Sequence, residues 1–110
     1  MILEIQSNEQ YAQETSNNKV LIDIWAEWCS PCKMMNPIIY DMDEMLIKNQ
    51  AEIKILKLNT DNGDLIKILN NFRVNSIPTF IVLDNGVVVD KVIGALSRQK
   101  FNDFVARNFV

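Results

Sequence analysis

Val20-Leu21-Ile22-Asp23-Ile24-Trp25-Ala26-Glu27-Trp28-Cys29-Ser30-Pro31-Cys32-Lys33 joins an apolar run to the only two cysteines of the chain. Val20 to Ala26 is apolar at both alternating positions except for Asp23, the pattern of a central strand covered on both faces. Pro31 suits the first turn of a helix, so a long helix is predicted from about Ser30 to Asn49. Pro37 falls inside it, removes one backbone donor and clashes with the Lys33 carbonyl, so a kink is predicted there. A Cys-x-x-Cys pair placed where a strand hands over to a helix reads as a redox dithiol. A structural disulfide and half of a metal site are the alternatives, and the second lacks further Cys or His to complete a tetrahedral set.

Working outward, Ile2 to Ile5 reads as an edge strand. Ser7-Asn8-Glu9-Gln10 fits a capping box that opens a helix to about Ser16, which Asn17-Asn18 ends. Ile53 to Leu58 is a further strand. Leu65, Ile66, Ile68, Leu69 and Phe72 have helical spacing over Asp64 to Phe72. Thr79–Leu83 and Val87–Val92 flank Asp84-Asn85-Gly86, and Asn-Gly between apolar runs signals a hairpin. Ser97 caps a last helix, with Leu96 and Phe101 placed as a hydrophobic staple. The order β-α-β-α-β-α-β-β-α predicts parallel pairing through the early crossovers and an antiparallel hairpin at the end, hence a mixed α/β sheet between helices.

The chain has 110 residues, 48% of them hydrophobic and 23% charged, with a net charge of −3. These values fit a single domain spanning 1–110, of ordinary soluble globular composition. No basic block points to nucleic acid or an anionic membrane. No apolar run approaches the ~18 residues of a membrane span. The start of the chain has no basic region followed by a long apolar segment, so a cytoplasmic location is expected, where a close cysteine pair is catalytic rather than structural. The chain has no histidine. His triads, His metal ligands and His general bases are therefore excluded, and no metal site is expected.

If Cys29 caps the long helix, its sulfur faces the unpaired donors of the first turn, the Cys32 N–H among them. The positive helix end favours the thiolate. Cys32 lies one turn on, on the same face and within disulfide reach. Cys29 is thus expected to be the attacking nucleophile and Cys32 the resolving thiol. Asp23 breaks a doubly apolar strand and is expected to be buried with its pKa raised, placed to accept the Cys32 proton. The other reading is a hydrogen-bonded core Asp. Lys57 shares a strand face with Ile53 and Ile55, so its stem is expected to be covered. Its ammonium reaches Asp23 if the two strands are neighbours, and otherwise snorkels. Trp28, beside the nucleophile, is placed to contact substrate, whereas Trp25 is expected in the core. Pro78 at a strand entry is tolerated on general grounds.

Several segments together resemble the thioredoxin family: Asp23-Ile24-Trp25-Ala26-Glu27-Trp28-Cys29 with Pro31-Cys32-Lys33, Pro37, Leu58-Asn59-Thr60-Asp61, Ser76-Ile77-Pro78-Thr79, Asn85-Gly86, and Ile93-Gly94-Ala95-Leu96-Ser97. The resemblance covers nearly the whole chain in order. It implies the thioredoxin fold, a five-stranded mixed sheet of order 1-3-2-4-5 with helices on both faces. It implies that Asp23 is the family's buried acid and Lys57 its partner, and that Pro78 is cis and lies against the dithiol. A substrate groove lined by Trp28, Ile77, Pro78, Ile93, Gly94 and Ala95 is implied, with the Ile77 backbone pairing with an extended substrate segment. The implied activity is protein-disulfide reduction by a redox-active Cys29–Cys32 disulfide with no bound cofactor. Recharging by thioredoxin reductase, with NADPH behind it, and disulfide-containing protein substrates follow from the same resemblance; a monomer is the default. Ser30 stands where the family usually has Gly between the cysteines, so Ser30 and Pro31 are the positions expected to tune the reduction potential. Arg73 stands where many relatives have Gly. The alternatives are a specialised disulfide oxidase or isomerase, and a thioredoxin-fold interaction module.

Overall fold

A computed structural model describes residues 1–109. Five strands form one sheet: β1 (Ile2–Glu4), β2 (Lys19–Trp25), β3 (Lys54–Asn59), β4 (Thr79–Asp84) and β5 (Val87–Ile93). Their order is β1-β3-β2-β4-β5. β1 and β2 both run parallel to β3, while β4 is antiparallel to β2 and β5 to β4. This is the predicted mixed sheet.

The helices are α1 (Asn8–Thr15), α2 (Ser30–Met34), α3 (Asn36–Lys48), α4 (Ile66–Phe72, entered through a 3-10 turn at Gly63–Leu65) and α5 (Arg98–Phe109). Alternation along β2 distributes its side chains to two cores. Val20, Ile22 and Ile24 join Leu56, Leu58, Ile81, Leu65 and Ile68 in a core that includes α4. Leu21 points the other way, into a core with Ile39, Met42 and Leu46 of α3 and Phe101, Phe104 and Val105 of α5. Asp23 has the parity of Leu21, so it belongs to the α3 side.

Two local features differ from expectation. The predicted long helix is two helices that meet at Met35, which keeps right-handed helical angles (φ −76°, ψ −20°). Pro37 removes the N–H that would otherwise bond the Lys33 carbonyl, and the chain bends one turn past the cysteines. The capping box is also displaced: Ser7 accepts from the Gln10 N–H, but the Gln10 side chain accepts from Gln6 N–H at 2.7 Å, not from Ser7. The Asn85-Gly86 hairpin is as predicted, with φ of +51° and +83° at its two central residues. Arg73 ends α4 with φ +54°, a left-handed position that glycine occupies without a side-chain clash.

Candidate active site

Cys29 and Cys32 are joined by a disulfide with Cα atoms 5.3 Å apart. Strand β2 ends at Trp25, and a short turn follows in which the Cys29 N–H donates to the Ala26 carbonyl at 3.1 Å. Cys29 is the N-cap of α2 in extended conformation (φ −93°, ψ 101°), and Pro31 lies in the first turn. The Cys32 N–H donates to Cys29 Sγ at 3.2 Å. A donor that the helix cannot satisfy internally is thereby spent on the sulfur, the contact that favours charge on Cys29 when the bridge opens. Both cysteines are nearly covered, at 5% and 3% exposure, so accessibility does not separate them; their positions on the helix do. They pack with Ala26, Trp25 and Ile77. Ser30 and Pro31 are both exposed at the helix start.

Asp23 lies at 2% exposure and Lys57 at 7%. The parallel register of β2 and β3 places the two residues side by side. Lys57 Nζ donates to Asp23 Oδ2 at 2.7 Å. Burial pushes the Asp23 carboxyl above the ordinary carboxylate range, and the Lys57 charge and hydrogen bond pull against that rise. The Lys57 ammonium also donates to Asn36 Oδ1 at 3.3 Å and lies 5.0 Å from the centre of the Trp25 ring. Asn36 opens α3 four residues after Cys32, so a polar chain runs from the helix behind the cysteines to the buried pair.

Sequence reasoning missed Asn36, because its contact depends on the bend at Met35. It also placed Trp25 in the core. Trp25 is only half-buried, and its indole N–H donates to Glu4 Oε2 at 3.4 Å. Trp25, Glu4, Lys57, Asn36, Lys33, Glu27 and Tyr40 border an open cleft of about 630 Å³.

On the outer side, Trp28 is 69% exposed, and its indole N–H donates to Asp61 Oδ1 at 3.3 Å. Trp28, Thr60, Val74, Asn75, Ser76 and Ile77 line an open depression of about 480 Å³. Val74 and Asn75 were not singled out by sequence, and Thr60 was noted only within Leu58–Asp61, since only the fold brings these loops to Trp28. The Ile77–Pro78 peptide bond is cis. The Pro78 carbonyl accepts from Gly94 N–H at 2.8 Å, and Ile93 pairs with Thr79 across β4 and β5. Gly94 has φ +97°, which requires its lack of a Cβ. Ala95 is exposed beside it, and the Leu96 N–H donates to Met35 Sδ at 3.3 Å, tying this loop to the α2–α3 junction. The predicted groove residues thus come from the turn before α2, the loop before β4, and the end of β5 with the loop that follows it. Among the described residues, no group of three or more Cys, Asp or Glu is placed to hold a metal ion.

A family model described as Thioredoxin matches residues 2–107. Among curated proteins, the thioredoxin of Pyropia yezoensis is 37% identical over 95 residues, 84% of each chain. The thioredoxin of Bacillus subtilis is 31% identical over 102 residues, 93% of each chain. Among solved structures, Malassezia sympodialis thioredoxin superposes with a TM-score of 0.86 at 27% identity, covering 100% of this chain and 92% of the other. An oxidised thioredoxin from Plasmodium falciparum, at 24% identity, gives a TM-score of 0.83 over all of both chains and supports the fold.

Proposed function

Because the chain belongs to the thioredoxin family and is a thiol–disulfide oxidoreductase, we propose that it reduces disulfides in partner proteins and is recharged by a thioredoxin reductase drawing on NADPH. We assign its place of work to the cytoplasm and its working form to a monomeric single domain. The observation that carries the reading is the Cys32 N–H donated to Cys29 Sγ at the cap of α2. In the reduced protein that cap favours the Cys29 thiolate, the nucleophile of exchange.

The reaction then balances in two displacements. Cys29 thiolate attacks one sulfur of a substrate disulfide; the new S–S bond joins protein to substrate, and the other substrate sulfur leaves as a thiolate. Cys32 next loses its proton to Asp23 and attacks Cys29 Sγ, and the second substrate sulfur leaves with the electron pair. The substrate has gained two electrons, and the Cys29–Cys32 disulfide is restored. Lys57 and Asn36 hold Asp23 and its charge in place during the proton transfer. Trp28, Ile77, Pro78, Ile93, Gly94 and Ala95 form the surface on which an extended substrate segment lies. Ser30 and Pro31, exposed at the helix start, act on the reduction potential.

The experiment is insulin reduction followed by turbidity, with NADPH and a thioredoxin reductase as electron source. Catalysed NADPH consumption, lost in Cys29→Ser, is the expected result. A rate no greater than without the protein would overturn the proposal.

A further inference from the structure

Strand pairing brings a third charged residue to the buried pair. Glu4 lies opposite Lys57 in the β1–β3 register, and Asp23 lies opposite Lys57 in the β2–β3 register. Side chains at matched positions of parallel neighbours share a face, so Lys57 stands on the central of three adjacent strands with a carboxyl residue on the strand to either side. Asp23 takes the short hydrogen bond. Glu4 keeps its carboxylate on the Trp25 indole N–H, whose ring also stacks under the Lys57 ammonium.

We propose that Glu4 is a positioning residue for thiol–disulfide exchange: it competes with Asp23 for the Lys57 charge and thereby keeps Asp23 a strong enough base to take the Cys32 proton. The inference rests on the reading of Asp23 as that proton's acceptor. With both carboxylates ionised the three residues carry −1, and one proton makes them neutral. A second carboxylate beside the buried Asp23 favours uptake of that proton. Burial pushes the Glu4 carboxyl up, the Trp25 bond and the Lys57 charge hold it toward the ionised form, and the Asp23 charge raises it; the same repulsion acts in reverse from an ionised Glu4 on Asp23. A carboxyl of ordinary affinity is a weak base at neutral pH, so losing the competitor weakens Asp23 for its task.

The charges facing this group are few. Asp23 and Lys57 come from β2 and β3. Glu27, before α2, and Lys33 on α2 stand across the cleft, paired with each other at 3.1 Å, and α3 adds Asn36 and the Tyr40 phenol. Asp61 lies on the far side of Trp25. Lys57 is thus the one buried cation of the set, and the two carboxylates divide it.

The test is Glu4→Gln, which keeps an acceptor for the Trp25 indole and removes the charge. Carboxyl 13C shifts are followed against pH by NMR in the oxidised protein. The Asp23 midpoint is expected to fall in E4Q. Each unit of fall reduces the protonated fraction about tenfold at any pH well above the midpoint. The native Asp23 signal is expected to show two steps, the second shared with Glu4, and the variant one. Single-turnover kinetics should show slower resolution of mixed disulfides in E4Q with Cys29 attack unchanged. An Asp23 midpoint that stays put or rises, or a single-step native titration, overturns the proposal. So does an effect present in Glu4→Leu but absent in E4Q, since that would be support of Trp25 alone. The titration needs no turnover, so the Glu4 inference can fail while insulin reduction by the native protein succeeds, and the reverse.

Discussion

Lys57→Met removes the charge that faces Asp23 while leaving an unbranched side chain of similar reach. Asp23, at 2% exposure, then loses the 2.7 Å bond from Nζ. Removing one partner of a buried ion pair costs about 3–5 kcal/mol. The lower end applies near neutral pH, because a stranded carboxyl can take up a proton instead of remaining charged. A loss of about 3 kcal/mol is a large part of the 5–15 kcal/mol that holds a domain of this size together. Its pH dependence has a fixed sign. Asp23 already titrates above its unfolded value, so between the two values the folded protein holds the extra proton. Stability therefore falls as pH rises through that window, and the penalty persists above it. Lys57→Met moves the folded value up further, so its deficit grows with pH and shrinks in acid. Urea melts of the oxidised protein from pH 4 to 9 measure both, and Asp23→Asn with Lys57→Met closes the cycle. The double variant has no buried charge but leaves the amide at position 23 without its partner, so it should recover part of the deficit and lose its pH dependence. A deficit under about 1 kcal/mol that does not change with pH would refute the desolvated pair.

Two further outcomes test the frame around the site. Arg73→Gly should stabilise the protein by about 0.5–1 kcal/mol in urea melts: it relieves a left-handed residue that costs ~1–2 kcal/mol, less the ~0.4–1 kcal/mol of added freedom in the unfolded chain. Phe80→Ala should cost about 3–5 kcal/mol in the same melts. Phe80 is fully buried and meets Phe101 edge to face at 5.3 Å, so a loss under 1 kcal/mol would contradict the packing of the sheet on α5.

The strands and the dithiol were legible because each is written locally, whereas the order of the strands in the sheet came from the family resemblance. The doubly apolar Val20–Ala26 can only be central, and Asn85-Gly86 supplies two positive φ angles. Parity with Ile53 and Ile55 showed only that the Lys57 stem is covered; its pairing with Asp23 depended on the two strands being neighbours, which the family resemblance implied and the β2–β3 register shows. The misses share one cause, which is contact across elements. Glu4 looks like any polar residue of an edge strand until β1 is known to pair with β3 in the register that sets it beside Lys57. Asn36 reaches Lys57 only because the helix breaks at Met35, and the break's position depends on how Pro37 is accommodated. Trp25 was misplaced because an indole with one polar edge can satisfy its N–H at a cleft rim, and Glu4 offers that acceptor. Gln10 chose Gln6 over Ser7 because the Gln6 N–H is equally free before the helix begins.

The division of labour between the two cysteines is tested most directly by trapping the intermediate. Reduced Cys32→Ser and reduced Cys29→Ser are each mixed with a disulfide-bonded protein substrate, and covalent adducts are identified by mass spectrometry. The cap geometry of α2 predicts that Cys32→Ser accumulates a one-to-one adduct through Cys29 and that Cys29→Ser accumulates none. Adducts forming through Cys32 as readily as through Cys29 would contradict it.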